Sequence, residues 1–154
     1  MDSSAAGLHL AFPCRPDLAT QTLPAPGGRS VAMGLLSCEQ QGQRFSVSWV
    51  DLDDPRRVPE ALAAVRQAFS DKLHRAPERR RPFEVAGATP HEQALQWELR
   101  AQPGPAQGEA FAAVASFAYG LRVYQVTLLG GSDWEQAREH WLHFGGALRV
   151  LPRS

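Results

Sequence analysis

The spacing of apolar residues constrains the fold of this 154-residue chain more than any other feature, because two different periods follow each other. Phe45, Val47 and Trp49 alternate with polar residues, as in a strand that is buried on one face. From Val58 to Leu73 the apolar residues instead recur at steps of three and four, which places them on one face of a helix. The chain therefore combines half-buried strands with amphipathic helices.

Alternation predicts strands over residues 8–12, 31–38, 44–49, 83–85, 95–100, 110–118 and 121–129. The longer period predicts a helix over 58–74, which Asp53 and Asp54 precede as capping residues. A second helix should begin at a capping box formed by Ser132 and Glu135 and end near Phe144. The proline-rich segment 16–28 is predicted to be an extended loop, and 147–151 a terminal strand or docked tail.

The predicted element order is βββ-α-ββββ-α, and short turns between consecutive strands favour an antiparallel sheet. We therefore predict an α+β fold, in which two main helices flank an antiparallel β-sheet. Residues 8–152 should form a single domain after a disordered lead, 1–7. Six apolar side chains are expected in one continuous core between sheet and helices, namely Trp49, Leu62, Val65, Phe69, Trp97 and Trp141.

Composition argues against several classes of partner. Sixteen basic residues balance sixteen acidic ones, whereas nucleic-acid binding usually requires an excess of Lys and Arg. No apolar run approaches the ~20 residues of a transmembrane segment. The start MDSSAAGLHL lacks the charged and apolar regions of a signal peptide, so we expect a chain that stays inside the cell or a form without its export signal.

Five segments carry a resemblance to a known family: GLHLAFPCRP, QRFSVSWVDLDDP, FEVAGATPHEQALQW, AYGLRVYQVTLLGG and FGGALRV. Together they resemble small bacterial PsbP-like domains over residues 8–152, although Thr89-Pro90-His91 stands where Pro-Gly is more usual. The resemblance implies an α/β/α sandwich like that of the photosystem II extrinsic protein PsbP and a yeast Ran-binding import factor. It also implies export or a lipid anchor for many members. It supplies no catalytic residue.

Cys14 and Cys38 lie 24 positions apart, and each follows a strand-forming run. In an exported protein two cysteines usually pair, so the resemblance favours a disulfide. In a cytosolic protein they would be two buried free thiols. If the first two predicted strands formed a simple antiparallel pair, the cysteines would be too far apart to bond. A bridge therefore predicts that these strands run parallel or cross steeply.

Two groups of polar residues are candidates for a functional surface. Glu139, His140 and His143 lie on the second predicted helix, but in the order Glu-His-Trp-Leu-His and not in the zinc-binding pattern H-E-x-x-H. Arg79, Arg80 and Arg81 belong to a basic stretch of the kind that can bind nucleic acid or heparin, but the neutral net charge favours a solvated loop. We expect no catalytic residue, no metal and no cofactor.

These observations predict a non-enzymatic module of the bacterial cell envelope, in the periplasm or on a lipid anchor of a longer precursor, that binds a protein or small ligand. A cytosolic chaperone or adaptor of a secretion system is the alternative, and the signal-less start favours it. A small hydrolase is a second alternative, but no G-x-S-x-G motif supports it. The sequence indicates neither the ligand nor the oligomeric state.

Overall fold

The computed structural model describes residues 1–24, 30–73, 79–101, 110–131 and 133–152. Its strands are β1 (Asp2–Ser3), β2 (Leu8–His9), β3 (Asp17–Pro24), β4 (Ser30–Gln40), β5 (Gln43–Asp51), β6 (Arg79–Pro82), β7 (Leu95–Ala101), β8 (Ala110–Tyr119), β9 (Arg122–Gly130) and β10 (Arg149–Val150). The helices are α1 (Val58–Leu73) and α2 (Trp134–Gly146). Strands dominate this architecture.

Seven of these strands form one antiparallel sheet in the order β3-β4-β5-β9-β8-β7-β6. The alternation seen in the sequence sets its register: Val47 of β5 lies opposite Val126 of β9, and both are fully buried. Every second residue of β5 faces the same side, where α2 and the amino-terminal segment cover the sheet. Residues of the opposite parity face α1 or lie partly exposed.

The two helices cover different parts of the sheet. The α1 side chains Val58, Leu62 and Val65 pack over β7, β8 and β9, while Trp141 and Phe144 of α2 pack on the other face. A 3-10 turn leads into α1, and the Asp54 carboxylate at its start accepts the Arg56 backbone N–H at 2.9 Å. The predicted helix over 58–74 is confirmed as Val58–Leu73.

The amino end of α2 differs from the predicted capping box. Asp133 is the N-cap, and its carboxylate accepts the backbone N–H of Gln136 at 3.1 Å. The predicted cap, Ser132, lies outside the described residues. Both residue types are good caps, and three apolar side chains that α2 buries set the register of the helix: Ala137, Trp141 and Phe144.

The predicted fold class, an α+β α/β/α sandwich with two main helices flanking the sheet, is wrong. The chain does mix helices with antiparallel strands, but about half of the described residues are strand, in sheets of seven and three strands. The two helices have only 16 and 13 residues. The error lies in the strands, because several short or exposed ones carry no one-sided hydrophobic period by which a sequence pattern could reveal them.

The largest correction concerns the segment predicted as a loop over 16–28. Its first part is β3, which pairs antiparallel with β4 from Asp17 opposite Ser37 to Pro24 opposite Ser30. This pairing also explains how the disulfide forms, because Cys14 lies just before β3, beside Cys38 of β4. The bond is present, with a Cα–Cα distance of 6.0 Å. The disulfide is therefore confirmed. The two strands predicted before the cysteines do not pair with each other, because β2 belongs to the small sheet and β4 pairs with β3.

A second, three-stranded sheet brings the two ends of the chain together in the order β1-β2-β10. The strand predicted over 8–12 is reduced to Leu8–His9, which pairs with Asp2–Ser3 on one side and Arg149–Val150 on the other. Residues 1–7, expected to be a disordered lead, contribute β1 and the fully buried Ala6. The terminal strand predicted over 147–151 is confirmed as β10.

Within this small sheet, the ring of His9 contacts the Asp2 carboxylate at 2.7 Å between Nδ1 and Oδ1. This hydrogen bond lowers the pKa of Asp2 below its usual value. The stabilising contact is therefore present at neutral pH and is lost as the pH falls through the lowered pKa. An NMR titration should give Asp2 a midpoint below that of a free aspartate, and His9→Ala should raise it. His91→Ala serves as the control and should leave the midpoint unchanged.

The burial predicted for the core is confirmed for Trp49, Leu62, Val65, Trp97 and Trp141, while the Phe69 side chain lies outside the described part. These residues do not form the single continuous core that we expected, because the sheet separates them. Trp49 and Trp141 lie on the α2 side, and the other three pack with α1 on the opposite face. In the part of the chain that the structure describes, neither helix is long and apolar enough to cross a membrane.

Candidate functional site

A cavity of about 300 Å³ opens where three distant parts of the chain meet. The segment after β2 contributes one wall, the β4–β5 turn a second, and α2 the third. Its lining residues are Ala11, Phe12, Pro13, Gln40, Gln41, Gln43, Phe45, His140, His143 and Phe144. Ligand sites in proteins are commonly concave, mostly apolar and supplied with a few polar groups, and this cavity has that composition.

Three phenylalanines, one from each wall, form the apolar side of the cavity. The Phe144 ring lies 5.0 Å from the Phe12 ring and 5.3 Å from the Phe45 ring, measured between centroids. The planes are inclined by 60° and 77°, which are favourable arrangements for aromatic pairs. Phe45 and Phe144 are buried, whereas Phe12 is half-buried. The apolar side of the cavity is therefore a packed surface in which a ligand can reach the Phe12 ring.

The polar side of the cavity is organised by His140 and Gln43. The His140 Nδ1 lies 2.8 Å from the Gln43 Oε1. Since a carbonyl oxygen only accepts, Nδ1 carries the hydrogen and donates it to Gln43. The neutral ring then has Nε2 as a hydrogen-bond acceptor. Gln43 is buried, and its amide thereby fixes the tautomer that His140 presents.

Gly130, the last residue of β9, and Gly131 directly after it make room for this pair. A Cβ added at Gly131 would lie 2.7 Å from the Gln43 Nε2, and the residue has a φ of +94°, which side chains other than glycine rarely adopt. A Cβ added at Gly130 would lie 2.1 Å from the backbone oxygen of Gly42. The Gly-Gly pair, which directly follows the strand predicted over 121–129, thus allows the β4–β5 turn to approach α2 closely.

The predicted site residues on α2 have different surroundings. His140 and His143 both line the cavity, but Glu139 is exposed and is not among its lining residues. Within the described ranges, no group of three or more His, Cys, Asp or Glu side chains is placed to hold a metal ion. No sequence pattern points to Gln43 or Phe12, because their roles depend on contacts with α2, where His140 follows Gln43 by 97 residues and Phe144 is still further from Phe12.

The predicted basic candidates lie in β6, the edge strand of the large sheet that follows β7 in its strand order. Arg79, Arg80 and Arg81 belong to β6, not to a loop. Arg81 points to Glu98 of β7, whose Oε1 also contacts Arg138 of α2 at 3.3 Å. Glu98 is only 4% exposed, so these two guanidinium groups compensate a buried carboxylate. Arg81 therefore has a structural role, while Arg80 is exposed.

A larger cavity of about 400 Å³ lies beside the small sheet, lined among others by Tyr119, Leu121 and Arg122. The guanidinium group of Arg122 is already paired, because it donates to both carboxylate oxygens of Asp51, at 2.7 and 3.0 Å, and to the backbone oxygen of Ala5. The hydrogen bond from Arg122 to Asp51 raises the pKa of Arg122 above its usual value. This cavity therefore offers a ligand a neutral ion pair, and the aromatic cavity is the stronger candidate.

Comparison with known proteins adds no assignment. No family model, no curated protein sequence and no solved structure matches this chain. The resemblance to PsbP-like domains therefore remains a prediction, and the cavity has to be interpreted from its own geometry.

Proposed function

We propose that this protein is a non-enzymatic binding module that takes a small aromatic ligand with a hydrogen-bond donor, such as a phenol. The observation that carries the proposal is the cavity of about 300 Å³, in which a phenylalanine wall lies beside an imidazole of fixed tautomer. An aromatic ring would pack against Phe12, and its hydroxyl would donate to Nε2 of His140. Each interaction alone is weak, but together they select a ligand that has both an aromatic ring and a hydrogen-bond donor.

Binding is favoured over catalysis by the chemistry of the lining. The described residues around the cavity provide imidazole, amide and aromatic groups, and the lining contains no serine, threonine, cysteine or carboxylate. A nucleophile activated by His140 would have to lie within hydrogen-bond distance of the ring. The His140 Nδ1 instead contacts the Gln43 amide, which positions the ring.

The compartment that we propose is the bacterial cell envelope. Its support is the Cys14–Cys38 disulfide, since such bonds persist in oxidising compartments and are rare in the cytosol. Pro13, which lines the cavity, directly precedes Cys14. The bond therefore also fixes one wall of the candidate site to β4.

The proposal can be tested with 4-ethylphenol as the probe, followed by ¹H–¹⁵N NMR. A ligand of this size should bind with a dissociation constant on the order of 1 mM, and the shifted amides should cluster around the cavity. 4-Ethylanisole has the same ring but no hydroxyl hydrogen, so it should bind about fivefold more weakly. Phe12→Ala and His140→Ala should each weaken 4-ethylphenol binding by about fivefold, since each removes an interaction of about 1 kcal/mol.

Leu121→Ala is the matched control. Leu121 is an exposed apolar residue that lines the larger cavity beside the small sheet, so its truncation should leave binding unchanged. Amide shifts that cluster around Leu121, or equal binding of the phenol and the anisole, would contradict the proposed site and ligand class.

A further inference from the structure

The two edges of the large sheet differ in how they are protected. The β6 edge is four residues long and reads Arg-Arg-Arg-Pro. Charged side chains, proline and short length are the features that keep an edge strand from pairing with another chain. The β3 edge is eight residues long, and its six residues between Asp17 and Pro24 carry no charge. It therefore lacks the protection that β6 has.

Along one side, β3 pairs with β4 over its whole length. Among the described residues, no strand pairs with its other side. Every second residue of β3 consequently directs its backbone N–H and C=O away from β4. Thr20 and Thr22 are β-branched residues that suit an extended chain, so this edge is ready to accept another strand.

The sequence of β3 is compatible with pairing to itself. Along an edge strand, only every second residue directs its backbone groups outward. In a two-fold antiparallel pair these outward-facing residues lie opposite one another, so the two-fold axis must pass between one residue and the same residue of the second copy. Centred on Thr20, it places Thr20 opposite the second Thr20 and Leu18 opposite Thr22. Threonine pairs of this kind are favourable across strands, and no like charges face each other.

The side chains near the edge would also gain from a second copy. Leu18 is one of the exposed large apolar residues, at 53% exposure, and it lies on the same face as Thr20 and Thr22. On that face, a groove of about 330 Å³ runs beside β3 to Trp49. In a two-fold dimer the grooves of the two copies would meet across the axis, and Leu18 would pack beside the partner strand.

We propose that β3 is a self-association edge, through which two copies of this chain join their seven-stranded sheets into one continuous antiparallel sheet. One strand pair forms a small interface compared with the ~1,200–2,000 Å² of stable complexes. The dimer should therefore be reversible, with a dissociation constant of roughly 1–100 μM. No residue of β3 lines the aromatic cavity, so the proposal does not depend on ligand binding.

Sedimentation equilibrium between about 5 and 500 μM tests the proposal with variants that place a positive or a negative side chain at the two-fold axis. Thr20→Lys and Thr20→Glu should each raise the dissociation constant at least about fivefold, since like charges would face each other. An equimolar mixture of the two variants should restore the dimer. The same experiment with Gln21→Lys and Gln21→Glu identifies a register centred one residue further along.

Arg80→Glu on the β6 edge is the matched control and should dimerise like the unmodified chain. Circular dichroism of each variant separates loss of association from loss of folding, and restoration in the mixture cannot come from misfolded chains. The proposal is overturned if the chain stays monomeric up to the highest concentration, even if it then binds a peptide with the β3 sequence. A dimer that neither charge pair weakens would overturn it too.

Discussion

Replacing Trp141 by alanine should lower the free energy of unfolding by about 3–5 kcal/mol, the largest effect that we expect from a single substitution. Trp141 is 1% exposed in the core between α2 and the sheet. Its ring stacks on Phe83 with a centroid distance of 6.3 Å, and its Nε1 donates to the Gln96 Oε1 at 3.0 Å. Alanine would leave a cavity and remove the donor to Gln96.

This loss is a large fraction of the total, since domains of this kind are stable by only about 5–15 kcal/mol. Urea unfolding monitored by circular dichroism measures it, because the other tryptophans complicate fluorescence. Trp141→Phe keeps a ring but not the donor and should cost about 1–3 kcal/mol. Leu142→Ala is the control: it lies next in α2 but is 46% exposed, so the change should stay within about 0.5 kcal/mol.

A Trp141→Ala variant within about 1 kcal/mol of the unmodified chain would contradict this packing. It would mean that α2 does not dock on the sheet through Trp141. The cavity would then lose its third wall, because His140 is the preceding residue and Phe144 lies one turn further along the same helix. The stability of this variant therefore tests the site as well as the core.

The elements that the sequence predicted well are those with a long, one-sided hydrophobic period. The helix over 58–74 and the strands around Val47, Trp97 and Val126 are examples, because each buries one face against a neighbour. The missed strand β3 has no such period: its described side chains, from Asp17 to Thr22, are all exposed. Its place in the sheet comes from backbone pairing with β4, which a hydrophobic pattern does not record.

The small sheet could not be predicted from local patterns either. It depends on β10 reaching β2, and these strands pair although about 140 residues separate them in the chain. The candidate site has the same origin. His140 and His143 could be selected by residue type, but the neighbours that define their chemistry are Gln43 and Phe12. Only the tertiary arrangement brings these residues to α2.

Removing the disulfide should have the second largest effect, and it connects stability to the proposed site. Replacing both Cys14 and Cys38 by alanine frees a loop of 24 positions in the unfolded chain. On the loop-entropy model this lowers the free energy of unfolding by about 3.5 kcal/mol, less where the folded bond is strained. Urea unfolding of this variant, compared with the oxidised chain, measures the loss.

The same variant should bind 4-ethylphenol more weakly than the oxidised chain. Ala11, Phe12 and Pro13 form one wall of the cavity, and Cys14 fixes the end of that wall to β4. Without the bond, ligand binding has to order a more mobile segment, and this reduces affinity. Val65→Ala is the control, because it removes buried contacts on the α1 face and leaves the wall intact. Equal loss of affinity in both variants would show that stability alone, and not the fixed wall, controls binding.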